Sequence, residues 1–396
     1  MENNPNKMML LFLVLSITSL AYGVSAVSPA LADIARVFPD RSPETIQMIA
    51  TMPQLTIMAT TLLCGQLSRR MRKKTLVLTG MVLYGFGGIL PAFFGGINFI
   101  LIMRGVFGAG CGFLIPLSQG LIADFFQGRD REIFMGYRSS TAAIFGMFFT
   151  MAGGSLCAIY WRHTFFAYLF VIPIFLLILL KMPEPERQEL GAMSDKGALT
   201  PAMWFFVTMY FLYNVTMMCF ITNAAFVMAA SKVGNARTIG IIMALQSIGG
   251  IAAGFLLGWV TKVIKNFTLV LALGFLALAF VMLNFVNTAL MFAVACAIWG
   301  FGFGTFNPAI ALKVIGSVPQ SAATRALAIL TCAMGIGQFI SPRVYETVNG
   351  WIGLGGPRAS WIIAAVCFVG AFLVSLLKTV LKKTPRIPLI SLIQNQ

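Results

Sequence analysis

The chain is 396 residues long, 59% hydrophobic and only 10% charged, with a formal net charge of +16. Ordinary soluble domains carry about 25% charged residues, so this composition excludes a soluble globular protein. The apolar runs are long and lack the period-two alternation of barrel strands, which leaves an all-α, polytopic membrane protein.

Apolar runs of about 20 residues predict twelve helices. They fall at 8–31, 44–67, 75–95, 97–123, 132–158 and 163–182, then 201–230, 237–260, 267–286, 288–314, 323–349 and 358–381. Lys7 and the run ending near Tyr22 to Ala26 imitate a secretory signal. That run is longer than a signal's apolar core and further spans follow it, so it is read as a retained helix 1. Between helices 2 and 3, Arg69, Arg70, Arg72, Lys73 and Lys74 crowd a short turn. Such a cluster cannot lie in hydrocarbon, and cytoplasmic loops collect Lys and Arg. It sets both termini in the cytoplasm of a chain integral to the cytoplasmic (plasma) membrane. On this topology about 19 of the 28 Lys and Arg lie on the cytoplasmic side, so the basic balance reports orientation rather than a nucleic-acid partner.

Pro183-Glu184-Pro185 stops helix 6, and the polar stretch to Thr200 reads as a cytoplasmic linker, 183–200. It separates a six-helix bundle at 1–182 from a second at 201–381, with 382–396 as a cytoplasmic tail. The halves repeat weakly. Gly108, Gly110, Gly112 and Pro116 of helix 4 return as Gly300, Gly302, Gly304 and Pro308 of helix 10. The basic turn after helix 2 has a counterpart after helix 8, from Gly258 to Lys265. Paired, glycine-interrupted segments of this kind mark two related halves around a midplane site.

The stretch from Gly65 to Leu76 resembles the loop between helices 2 and 3 of the major facilitator superfamily, written G-x-L-a-D-r-x-G-r-K-x-x-L. Gly65, Leu67, Arg70, Lys73, Lys74 and Leu76 match it, while Arg69 stands in place of the acid and Arg72 in place of a glycine. Arg104-Gly105 with Gly108, Gly110 and Gly112 is similar to the family's R-x-x-x-G-x-G motif in helix 4. Arg131 to Gly136, Trp161-Arg162 with Phe165, Pro183 to Glu186 and Ser341-Pro342 resemble further family features, the last a common break in helix 11. The resemblance implies two pseudo-symmetric six-helix bundles that rock around a central site, and within the superfamily the chain resembles the twelve-helix efflux permeases of drugs and sugars. In the family the missing acid joins a charge relay at the cytoplasmic face. The resemblance therefore implies that Asp124 or Asp130 stands in for it, or that the relay is weak. The Gly-Pro pair common in helix 5 of antiporters is replaced by Phe149-Thr150, although Gly153-Gly154 remain.

Catalytic chemistry finds no foothold. His163 is the only histidine, there is no nucleotide-binding loop, and the seven cysteines all lie in predicted helices without a CxxC pair. The reading is a non-enzyme that needs no metal and no cofactor. Charges within membrane helices are costly and are functional candidates by default. Coupling or gating candidates are Asp33 and Arg104, the loop residues Arg69, Arg70 and Lys73, and Arg343 with Glu346 in helix 11. A pairing of Asp33 with Arg104 offers a proton site; a local Asp33–Arg36 pair is the plainer alternative. Arg138, in a polar patch of helix 5, either receives an anionic group or snorkels to the interface. Solute-binding candidates are Tyr22, Gln54, Gln119, Arg138, Tyr210, Tyr213, Asn214, Asn223, Gln246, Trp299, Asn307 and Gln338, some of which are expected to be interhelical hydrogen bonds instead.

Three readings follow. The first is proton-coupled efflux of a drug-like or aromatic solute by a monomer in contact with membrane lipids. The second is an organic-anion carrier or exchanger using Arg138 and Arg104. The third is a membrane sensor that does not transport.

Overall fold

A computed structural model describes residues 5–68, 70–184, 199–264, 267–319 and 322–383. Arg69, Lys265, most of the linker (185–198) and the tail from 384 lie outside the described residues. The described chain holds twelve helices long and apolar enough to cross a membrane. They are α1 (Lys7–Val37), α2 (Pro43–Leu67), α3 (Lys73–Ala92), α4 (Ile97–Phe125), α5 (Gly128–Cys157) and α6 (Trp161–Lys181). The second six are α7 (Pro201–Ala230), α8 (Ala236–Ile264), α9 (Thr268–Phe285), α10 (Ala289–Ile315), α11 (Ala323–Ile352) and α12 (Ala359–Lys383).

Two expectations about helix ends change. Helix 1 does not stop at residue 31: a 3-10 stretch at Gly23–Ala30, containing Pro29, leads into a further α turn at Leu31–Val37. Asp33 therefore lies inside the helix. Helix 6 opens likewise with 3-10 winding, at Trp161–Phe170. The expected break at Ser341-Pro342 is absent, because α11 runs through Pro342 unbroken. The Ser341 hydroxyl donates instead to the Val215 carbonyl of α7 at 2.7 Å.

The glycine repeat explains the packing. In lipid, small residues let backbones approach closely. A Cβ on Gly108 would lie 2.5 Å from the Pro53 carbonyl oxygen, and one on Gly112 2.8 Å from that of Ile57, both on α2. Gly110, between them, faces α3, where a Cβ would meet the Gly80 carbonyl at 2.6 Å. The second half repeats this arrangement. Gly300 and Gly304 press on Gln246 and Gly250 of α8, and Gly302 presses on Leu276 of α9. α4 and α10 are thus equivalent wedges in their respective halves.

The halves meet through α5 against α8 and α2 against α11. The double glycine of α5 serves two neighbours: a Cβ on Gly153 would sit 1.9 Å from the Ala26 carbonyl of α1, and one on Gly154 2.6 Å from the Ala236 carbonyl of α8. Gly335 of α11 packs in the same way on Met58 and the Gln54 carbonyl of α2.

Candidate functional site

Arg104 is fully buried in α4. Its Nε donates to the Ile49 carbonyl at 2.9 Å, one terminal nitrogen to the Tyr168 hydroxyl at 2.9 Å, and the other to the Val24 carbonyl at 3.4 Å. The guanidinium also lies over the Phe107 ring, 4.4 Å from its centroid. One cation therefore ties α4 to α1, α2 and α6 with neutral acceptors. Of the two partners open to Asp33, Arg104 is not the one it takes here. Asp33 accepts from Arg36 at 2.8 Å and from the Cys157 thiol at 3.5 Å. Arg36 wins because it is one turn away on the same helix.

Arg138 does not snorkel. It turns inward and is 6% exposed. Its Nε donates to the Ser118 hydroxyl at 3.1 Å and a terminal nitrogen reaches the Ile115 carbonyl at 3.5 Å, with Tyr22 beside it. No Asp or Glu pairs with it among the described residues. Tyr22, Gln119 and Tyr137, from α1, α4 and α5, are exposed, while Gln54 is half-buried where α2 crosses α11. The structure thus brings Tyr22 to Arg138, beside Ser118.

The second half is wired by neutral groups. The Tyr210 hydroxyl donates to Asn307 at 2.7 Å, joining α7 to α10, and the Gln338 amide donates to Asn214 at 2.9 Å, joining α11 to α7. Asn214 in turn donates to the Tyr210 carbonyl at 2.8 Å. Tyr213 stacks on Phe306, with centroids 3.9 Å apart. Its buried hydroxyl stands near Asn307 without a hydrogen bond of normal geometry. Trp299 is stacked between Phe220 and Phe303, and its buried indole N–H has no partner among the described residues. Gln246 is half-buried on α8. Tyr210, Asn214, Asn307 and Gln338 are therefore interhelical ties in this conformation.

Among the described residues, side-chain hydrogen bonds cross between the halves at one end, where the Glu44 and Glu346 carboxyl groups also meet. Gln47 of α2 donates to Asn223 of α7 at 3.1 Å, and Arg343 of α11 donates to Glu44 of α2 at 3.0 Å. Glu346 stands 3.7 Å from the same Arg343 nitrogen. Glu44 and Gln47 were not among the sequence candidates. The spacing of Gln47 to Gln54, two helical turns on one face, is the signal that points to them.

At the opposite end the basic loop is braced within the first half. Lys73 pairs with Asp124 at 2.6 Å, and Lys7 pairs with Asp130. Glu184 accepts the Lys73 and Lys74 backbone N–H groups at 2.6 and 3.2 Å, a carboxylate cap on the start of α3. Arg70 is exposed. Among the described residues no ion pair links the two halves at this end. The side-chain hydrogen bonds between the halves thus gather at the Glu44 end.

Metal chemistry has no donor set among the described residues. His163 is enclosed by the rings of Tyr160 and Phe166. Arrangement and charge suit the passage of a solute between two packed halves.

The comparisons agree with the geometry. The family model described as Major Facilitator Superfamily matches residues 11–342 and again 206–391. No curated protein matches the sequence. Among solved structures, the chain is similar to a bacterial homolog of the human lysosomal transporter Spinster, inward-facing and unoccupied. The TM-score is 0.75 at 14% identity, covering 94% of this chain and 98% of that one. It is also similar to the nucleoside transporter NupG, with a TM-score of 0.77 at 13% identity over 94% and 99% of the two chains. These likenesses concern the fold and carry no preference for a drug-efflux branch. The chain belongs to the Major Facilitator Superfamily, a secondary transporter of a small solute built from twelve membrane-spanning helices.

Proposed function

We propose that this transporter is an alternating-access carrier for a small organic anion, with Arg138 receiving the anion's charge. The observation that supports it is the inward turn of Arg138 onto neutral partners, with no carboxylate beside it among the described residues. A guanidinium does not deprotonate in proteins, and a charge at the centre of a membrane helix costs roughly 2.5–3.5 kcal/mol on insertion scales. Ser118, Ile115 and Tyr22 engage part of its five-donor fork. The remainder suits a carboxylate or phosphate, held through paired hydrogen bonds.

A proton-driven cycle would draw on a titratable acid in the core. Here Asp33, Glu44 and Glu346 gather at one end, and Asp124, Asp130 and Glu184 at the other, each beside a base or a backbone N–H. Exchange or facilitated passage of an anion is therefore better supported than proton-coupled efflux of an aromatic compound. In this reading both termini are cytoplasmic, as the positive-inside asymmetry requires.

Counterflow in proteoliposomes with one anionic and one neutral solute tests the proposal. Arg138→Gln is expected to weaken the anion by about ten- to more than a hundredfold, the ~1.5–3 kcal/mol of a charged hydrogen bond. Neutral solutes should change by about twofold or less. Lysine should rescue only in part, since it lacks the planar fork. An unchanged anion affinity in the glutamine variant would sink the reading.

A further inference from the structure

The second half contains a cleft that the transport site does not use. It has a volume of about 900 Å³ and lies between α7, α9, α10 and α12. Its walls come from the start of α7 (Phe205, Phe206, Met209), the start of α9 (Leu269, Leu273) and the end of α12. These segments place its mouth at the basic-loop end, because odd helices begin there and even helices finish there. From Lys378 to Cys367 at its depth the cleft follows 11 residues of α12. At 1.5 Å per residue that is about 16 Å, half of a hydrocarbon core of about 30 Å.

The apolar walls are open sideways. Phe205, Leu212 and Val374 on the rim are 55%, 57% and 66% exposed. The mouth, by contrast, is cationic. Lys313 and Lys378 both line it, and the Lys378 ammonium reaches from α12 to the Phe205 ring of α7, 4.9 Å from its centroid. Ser375 offers a hydroxyl one turn deeper. Among the described residues no acid pairs with either lysine. From residue 201 to the last residue the sequence holds a single acid, Glu346, and it sits at the far end beside Arg343.

We infer that this cleft is a binding site for an anionic phospholipid, with the phosphate at Lys313 and Lys378 and one acyl chain laid against α7, α9 and α12. Three features fit that occupant together: a depth of one leaflet, an apolar wall open to the membrane, and two cations with no acid paired to them among the described residues. Lysines that merely snorkel would need no cleft beneath them, and a soluble anion would have no use for its walls. Basic pockets between membrane helices are suited to lipid head groups.

Native mass spectrometry of the purified full chain, with dioleoyl phosphatidylglycerol, dioleoyl phosphatidylcholine or glycerol phosphate added, tests this. The wild type should retain one phosphatidylglycerol, hold phosphatidylcholine at least about tenfold more weakly, and lose no lipid to excess glycerol phosphate. The double variant Lys313→Gln/Lys378→Gln should bind phosphatidylglycerol about thirty-fold more weakly, from two lysines near an anionic surface. A second variant leaves the charges in place. Gly370 lines the cleft and a Cβ there would meet no atom within 4 Å, so Gly370→Leu fills the cleft without a clash in the bundle. It should expel the acyl chain and weaken the lipid by a similar factor. Equal retention of both phospholipids, or phosphatidylglycerol binding unchanged in either variant, would overturn the site. Displacement by glycerol phosphate would overturn the lipid assignment in favour of a free phosphate.

Discussion

α4 and α10 set glycines at matching turns against matching neighbours, yet what they bury differs. Arg104 of α4 has Cys296 as its counterpart at the offset that relates Gly108 to Gly300. The first half encloses two guanidinium groups and satisfies them with carbonyls, hydroxyls and ring faces. The second encloses amides and a phenol that satisfy one another. The two halves thus share one packing scheme and carry opposite electrostatic characters. The linked amides have little left to offer a solute, whereas a cation with spare donors does; the Tyr213 hydroxyl and Trp299 N–H are the neutral donors of the second half still free for one among the described residues. Recognition of the solute's charge would then belong to the first half, while the buried network of the second holds the helices together with uncharged groups.

The sharpest way to break this contrast is to remove the fully buried charge. Arg104→Gln leaves Ile49, Tyr168 and Val24 without their common donor. At ~1–3 kcal/mol for each buried group left unpaired, a loss of about 3 kcal/mol or more is expected. It should appear as a clear drop in the melting temperature of purified protein, and lysine should restore little of it. A glutamine variant that melts with the wild type would show that the first half does not depend on its charge.

A smaller effect is expected in the second half. Tyr210→Phe removes one neutral hydrogen bond to Asn307, worth about 1 kcal/mol. Stability should fall slightly, and the preference for anionic over neutral solutes in counterflow should stay unchanged. A shift in that preference would make the second half a reader of charge and end the contrast.

The smallest effect belongs to the latch between the halves. Arg343 is 72% exposed, and exposed pairs contribute about 0–1 kcal/mol. Arg343→Gln should speed exchange modestly and remove its salt dependence, since screening already weakens the wild-type pair. Exchange that remains equally salt-sensitive in the variant would assign the latch to other residues.

Much of the scaffold was legible because its cause is local. Helix spans follow from apolar length, and the α4 and α10 wedges follow from glycines whose missing side chains permit close backbone approach. The polar site was only partly legible, because its pairings depend on distances between helices that spacing along the chain does not contain. Asp33 had two bases to choose from, and only the geometry shows that Arg36 takes it. Gln338 and Asn214 were individually visible as polar residues in apolar runs, but their bond spans 124 residues. Asp124 and Asp130 do engage bases at the loop end, yet both partners lie in the same half, so in this conformation they brace that half rather than clamp the two together.

The tight winding of α1 has a mechanical consequence. Eight residues at Gly23–Ala30 are in 3-10 form, which rises about 2.0 Å per residue with 3.0 residues per turn, against about 1.5 Å and 3.6 in an α-helix. Rewinding that segment as α-helix would shorten α1 by about 4 Å and rotate one end against the other by about 160°. Tyr22 lies just before the segment and Asp33 just after it. A change of winding alone would therefore swing the ring beside Arg138 relative to the carboxylate at the closed end, without any hinge in the backbone of the other helices.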